Sequence, residues 1–406
     1  MLRRSMLSLI LLSTACGGGG GGGDEPPFYA LPLTTTQQAF WSPTMYVGSQ
    51  AFVMDLDTGS TSTAIAGVGC SDCDNVSPLY MPGSSAKDQS NSAFTEYADG
   101  TGWMGEIYSD SIGLGSGSPN VDVNIVDIST QVVGSMGMSG FFDGDNDYQG
   151  ILGMGSPDLA EPGTGAYFDA VTKAGVKPMM AFELCADGGT MWLGGYDETH
   201  ASSAMQYTPM LPIDPHNNPF YSIDITSMSL GGTTVGMGSA AFEEPIVDTG
   251  TTFFYLPTPI VTALVSAINA SSGFQTLFPS TTLDDQNNPC TGSGSVTDDM
   301  VDAMLPPLQF TMPSKNGGPD LQFTVPALQS YMFDGGQGVF CLGVGDGGDV
   351  EATTLGDQFM QAFVTVIDVG NSQVGFAPDS GCNSSSKRRS RDMTSFRPHL
   401  PKPRRR

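Results

Sequence analysis

Hydrophobic positions along this chain fall into short runs rich in Val, Ile, Thr and Phe, with Gly- or Pro-containing turns between them. Runs of this kind predict β-strands at 39–47 and 51–57, joined through a Gly48-Ser49-Gln50 turn. Residues 122–128 alternate apolar and polar side chains, as a half-buried strand does. Gly150-Ile151-Leu152-Gly153 reads as a short buried strand, and Met191-Trp192-Leu193 as another that ends in a Gly194-Gly195 turn. The stretch from Tyr97 to Gly105 predicts a hairpin tip whose glycines can take positive φ. Helical spacing appears in few places: at 166–174, and at 258–269 with Pro259 at the start. The pattern predicts an all-β protein with a few short helices.

One stretch occurs twice. Phe52-Val53-Met54-Asp55-Leu56 leads into Asp57-Thr58-Gly59-Ser60, and Pro245-Ile246-Val247 leads into Asp248-Thr249-Gly250-Thr251. Further on, Ile151-Leu152-Gly153 is echoed by Thr354-Leu355-Gly356. A chain of 406 residues is longer than one core supports. The expectation is therefore two homologous lobes, at 39–205 and 206–385, with the boundary in the Pro- and Asn-rich stretch 204–219. Two carboxylates brought together share a proton, which makes the repeated Asp a candidate for chemistry as well as for turn formation.

Charge narrows the function classes. Residues 5–386 hold four Lys and no Arg against 41 of the 42 acids, a net charge of −37. Nucleic-acid binding by this body is excluded, since it needs the opposite sign. An acidic exported protein, or an enzyme working at low pH, fits. Residues 1–15 read as an export signal, with Arg3 and Arg4 before the apolar run 6–12, too short to span a bilayer. Ser13-Thr14-Ala15-Cys16 looks like a bacterial lipobox, so Cys16 is a candidate lipidation site and membrane anchor; ordinary cleavage near Ala15 and secretion is the alternative. Residues 16–38 read as a Gly-rich tether and Pro-containing linker. Residues 386–406 form a basic tail, expected to be disordered, that either lies in the acidic cleft, stays solvated or meets anionic polymers. Apart from Cys16, six cysteines remain, which in an exported chain suggest three disulfides. Cys70-Ser71-Asp72-Cys73 reads as a local staple, or else as a redox or zinc half-site with no second C-x-x-C to complete it.

These motifs together resemble the pepsin-like aspartic endopeptidases, from about residue 39 to 382. The resemblance is carried by both Asp-Thr-Gly signatures, Tyr97 with its Gly-rich hairpin, Gly150-Ile151-Leu152-Gly153 and Leu193-Gly194-Gly195. It continues through Leu355-Gly356-Asp357 and the ending Val374-Gly375-Phe376-Ala377-Pro378. The second signature is similar to the β-secretase-like branch, and the cysteine spacing to the plant nepenthesin-like branch. By that analogy the disulfides are Cys70–Cys73, Cys185–Cys382 and Cys290–Cys341. The fold implied is a bilobal acid protease, two β-barrel-like lobes with a cleft between them.

The resemblance implies peptide hydrolysis without metal or cofactor, with polypeptide substrates and a monomer, since both half-sites lie in one chain. Asp57 and Asp248 are the expected catalytic pair. Gly59 and Gly250 let backbone N–H groups approach the carboxylates, Ser60 and Thr251 bond their outer oxygens, and Thr58 and Thr249 bond across to the opposite lobe. Tyr97, Gly100 and Thr101 belong to the flap over the substrate. The Trp that many members carry after the first signature is absent here, where Thr61-Ser62-Thr63-Ala64-Ile65 stands. Trp103, on the flap itself, is a candidate to take its place. A pepsin-like binding or inhibitor protein is the rival reading; such proteins lose an aspartate or a signature Gly, and both are intact here.

Overall fold

In the computed structural model, residues 28–36, 40–73, 76–98, 100–115, 117–132, 141–142, 148–284, 289–292, 294–348, 353–380 and 382 are described. The strand Gln50–Asp57 sets the plan of the first lobe. Its side chains alternate between two cores. Phe52, Met54 and Leu56 enter the large core, whereas Val53 packs on a smaller cluster that contains Tyr97, Trp103 and Ile151. The strand pairs antiparallel with Phe40–Val47 through the turn at Gly48 and parallel with Gly150–Gly153, where Asp57 faces Gly153. From there the sheet runs through Ala64–Ala66, Val121–Val132 and Gly102–Leu114. Gly102–Leu114 pairs back onto Phe40–Val47, which closes the lobe into a barrel.

The second lobe repeats the central arrangement. Ile246–Val247 runs parallel to Thr354–Leu355, which pairs antiparallel with Phe254–Leu256. The helix Thr258–Ala270 follows, and Ile260, Val261, Leu264, Val265 and Ile268 form its buried face. The architecture is all-β, with five short α-helices among the described residues.

Two stretches read as connections contain strands. Residues 29–36, assigned to the linker, form the strand Tyr29–Thr36, with Leu31 and Leu33 buried and Ala30 and Pro32 exposed. Pro32 read as a breaker, but it is paired only with Thr190; pairing with Phe40–Val47 begins at Leu33. One side of the strand is open at Pro32, so the missing N–H disrupts no ladder. The stretch 204–219 is likewise more than a connection. Its strand Gln206–Pro209 pairs with Gln373–Pro378, and the sheet continues through Phe363–Asp368, Met179–Cys185 and Gly188–Leu193 to Tyr29–Thr36. Strands from both halves thus share one sheet beneath the lobes.

Three disulfides are present among the described residues: Cys70–Cys73, Cys185–Cys382 and Cys290–Cys341. Cys70–Cys73 staples a local loop, so its two thiols are committed to each other. Cys185–Cys382 ties the end of the described chain to the shared sheet. No helix among the described residues is long and apolar enough to cross a membrane. The leader, Cys16 and the basic tail lie outside the described residues.

Candidate active site

Each Asp-Thr-Gly turn follows a buried strand, and the two turns meet at their threonines. The Thr58 hydroxyl donates to the Val247 carbonyl at 2.9 Å and accepts from the Thr249 N–H at 3.0 Å. Thr249 returns the pattern, donating to the Leu56 carbonyl at 2.7 Å and accepting from the Thr58 N–H at 3.1 Å. Four buried hydrogen bonds therefore clamp strand ends that lie about half the chain apart in sequence.

The clamp brings the carboxyl groups face to face. Asp57 Oδ1 accepts from the Gly59 N–H at 2.7 Å and the Ser60 N–H at 3.1 Å, and Oδ2 accepts from the Ser60 hydroxyl. Asp248 Oδ1 accepts from the Gly250 N–H at 2.9 Å, and Oδ2 from the Thr251 hydroxyl at 2.6 Å. The glycines show how close the approach is. A Cβ on Gly59 would lie 2.6 Å from Asp248 Cγ, and a Cβ on Gly250 would lie 2.6 Å from Asp57 Cγ. No side chain fits at either position.

Both carboxyls are fully buried. Burial raises the pKa of each above the usual carboxylate range. For Asp57 the Asp248 charge adds to that rise, while the Ser60 hydroxyl opposes it. For Asp248 the Thr251 hydroxyl and the Gly250 N–H oppose it. Two such groups in contact hold one proton between them over a pH window, and that proton belongs to the pair.

The hairpin of Lys87–Glu96 and Gly102–Leu114 carries Tyr97, Gly100 and Thr101 at its tip. Gly100 has φ of +83°, and the Tyr97 N–H donates to the Thr101 carbonyl at 2.7 Å. Tyr97 is buried and stacks on Phe141 at 5.7 Å between ring centroids. Its hydroxyl accepts from the Trp103 indole N–H at 2.9 Å. Burial, and then the Asp57 charge, raise the Tyr97 pKa well above its usual value. Trp103 is itself fully buried.

One residue of this site was not singled out in the sequence. Asp55, two positions before Asp57 on the same strand face, is also fully buried. The signal was an acid inside an apolar run, at a place where the second copy has Ile246.

A family model described as eukaryotic aspartyl protease matches residues 43–379. An aspartic protease of Phaffia rhodozyma is 27% identical over 343 residues, 84% of this chain and 76% of that protein. A beta-secretase of Strongylocentrotus purpuratus is 26% identical over 356 residues, covering 79% of this chain and 63% of the other. A pepsin A of Rhinolophus ferrumequinum is 26% identical over 362 residues, with 86% and 83% covered. Paired Asp-Thr-Gly turns, a flap hairpin and this match agree: the chain belongs to the pepsin-like eukaryotic aspartyl protease family and is a peptide hydrolase.

Proposed function

We propose that the chain is an aspartic endopeptidase in which Asp57 and Asp248 share one proton and activate a water between them. The observation that carries this reading is the mutual approach of the two turns, each signature glycine lying against the opposite carboxyl. The ionised member takes a proton from the attacking water, and the protonated member donates to the oxyanion that forms on the scissile carbonyl. Ser60 and Thr251 hold the outer oxygens, and the Thr58–Thr249 clamp fixes the pair's geometry. Tyr97, Gly100 and Thr101 close over an extended polypeptide substrate and exclude water.

Substrate preference is for apolar residues around the scissile bond. Tyr97, Trp103, Phe141 and Phe142 belong to one buried apolar cluster of the first lobe. Activity is expected on the acid side of neutrality, because both steps need the singly protonated pair. We further assign the lobes to about 39–205 and 206–385 with Tyr29–Thr36 joined to the sheet they share. The chain works as a monomer, exported or tethered to a membrane through Cys16. The experiment is cleavage of an unstructured protein between pH 3 and 5, with and without pepstatin. Pepstatin-sensitive cleavage between apolar residues supports the reading; absence of cleavage at every pH defeats it and leaves the binding-protein alternative.

A further inference from the structure

We propose that Asp55 is a third carboxyl of the active site, a positioning residue that sets the upper pH at which the dyad still holds its proton; this rests on the dyad reading above. Strand alternation puts Val53, Asp55 and Asp57 on one face of Gln50–Asp57, opposite the Phe52, Met54 and Leu56 face. That face packs on the apolar cluster of Tyr97, Trp103 and Phe141. Asp55 is fully buried there, beside Ile151 in the neighbouring strand. In the second lobe the equivalent place is filled by Ile246, so the fold itself asks for an apolar side chain. An acid buried where an apolar residue suffices costs stability, and such violations of local consistency gather at functional sites.

The titratable groups facing Asp55 are Asp57 on its own strand, Asp248 on the opposite turn and Tyr97 at the hairpin tip, with Glu161 acting on Tyr97 from further out. Gly150–Gly153 and Ala64–Ala66, packed alongside, contain none. Burial, and then the Asp248 charge, push the Asp55 carboxyl well above the usual range, against the opposing pull of the Leu56 N–H. That rise keeps Asp55 protonated through the ordinary carboxylate range. Once ionised, Asp55 adds a charge that opposes loss of the dyad's proton. Without Asp55 that opposition disappears, and the dyad empties at lower pH.

The test compares kcat/KM against pH for the wild type, Asp55→Asn and Asp55→Ile. Both variants should lose activity earlier on the base side, by roughly half a pH unit or more, with the acid-side limb unmoved. Base-side limbs that coincide with the wild type overturn the proposal. A second readout needs no catalysis: melting temperature against pH for the wild type, Asp55→Ile, Asp248→Asn and the double variant. Because the native state raises the Asp55 pKa, its proton-linked stabilisation is complete below the unfolded carboxylate range and is lost as pH rises. Asp55→Ile should therefore gain on the wild type with rising pH, and gain less when Asp248 is neutralised. A gain independent of both pH and Asp248 contradicts the coupling. A wild type inactive at every pH defeats the dyad reading instead, and the melting curves still decide the role of Asp55.

Discussion

At the scale of single residues, the site is governed by space and by hydrogen bonds to two carboxyl groups. Gly59 and Gly250 are fixed by contact, since even a methyl group would overlap the opposite aspartate. Gly59→Ala or Gly250→Ala should therefore separate the pair and abolish peptide cleavage while the protein still folds; circular dichroism and a peptide assay check this. The Thr58 and Thr249 hydroxyls each donate once and accept once across the lobes. Thr58→Ala leaves buried partners unsatisfied and should cost about 1–3 kcal/mol of stability, measured by denaturant unfolding. These residues could be singled out because the motif occurs twice after an apolar lead-in. Asp55 was not, because one acid in an apolar run carries no periodic signal and only the packing shows which face it shares.

At the scale of elements, one hairpin carries both partners of a buried hydrogen bond. Trp103 lies six positions after Tyr97 in the sequence, beyond the hairpin tip, and its N–H meets the Tyr97 hydroxyl. Trp103→Phe keeps the apolar volume and removes the donor. It should lower kcat/KM roughly tenfold, mainly through KM, as expected for the loss of one buried hydrogen bond. A steady-state comparison of the two enzymes reads that split. The hairpin, the strand Gly150–Gly153 and the helix Thr258–Ala270 could all be anticipated from turn residues and hydrophobic spacing. Tyr29–Thr36 could not. Pro32 reads locally as a stop, and only the one-sided pairing at that position makes it compatible with a strand.

At the scale of the whole molecule, the shared sheet holds the two lobes in register and carries its own pH sensitivity. Glu183, buried on the strand Met179–Cys185, contacts the His200 Nδ1 at 2.8 Å, next to Asp379 and the Cys185–Cys382 disulfide. Burial, with Asp379 adding to it and His200 opposing, raises the Glu183 pKa to about 7. A folded pKa above the unfolded one gives stability that is present at acid pH and lost as pH rises through about 7. Melting temperature should thus fall across that range, and Glu183→Gln should flatten the fall. This sheet was invisible in the sequence because the pairings that assemble it join residues roughly 160 to 190 positions apart, which local patterning does not encode. The same long-range joining makes the site, for each half of the chain supplies one of the two facing carboxyls. The central claim is that both carboxyls are required together. Cleavage of an unstructured protein at acid pH by the wild type, Asp57→Asn and Asp248→Asn tests it most directly. Each single variant should lose roughly a thousandfold or more in rate while remaining folded; a folded variant of either kind that cleaves like the wild type would contradict the account.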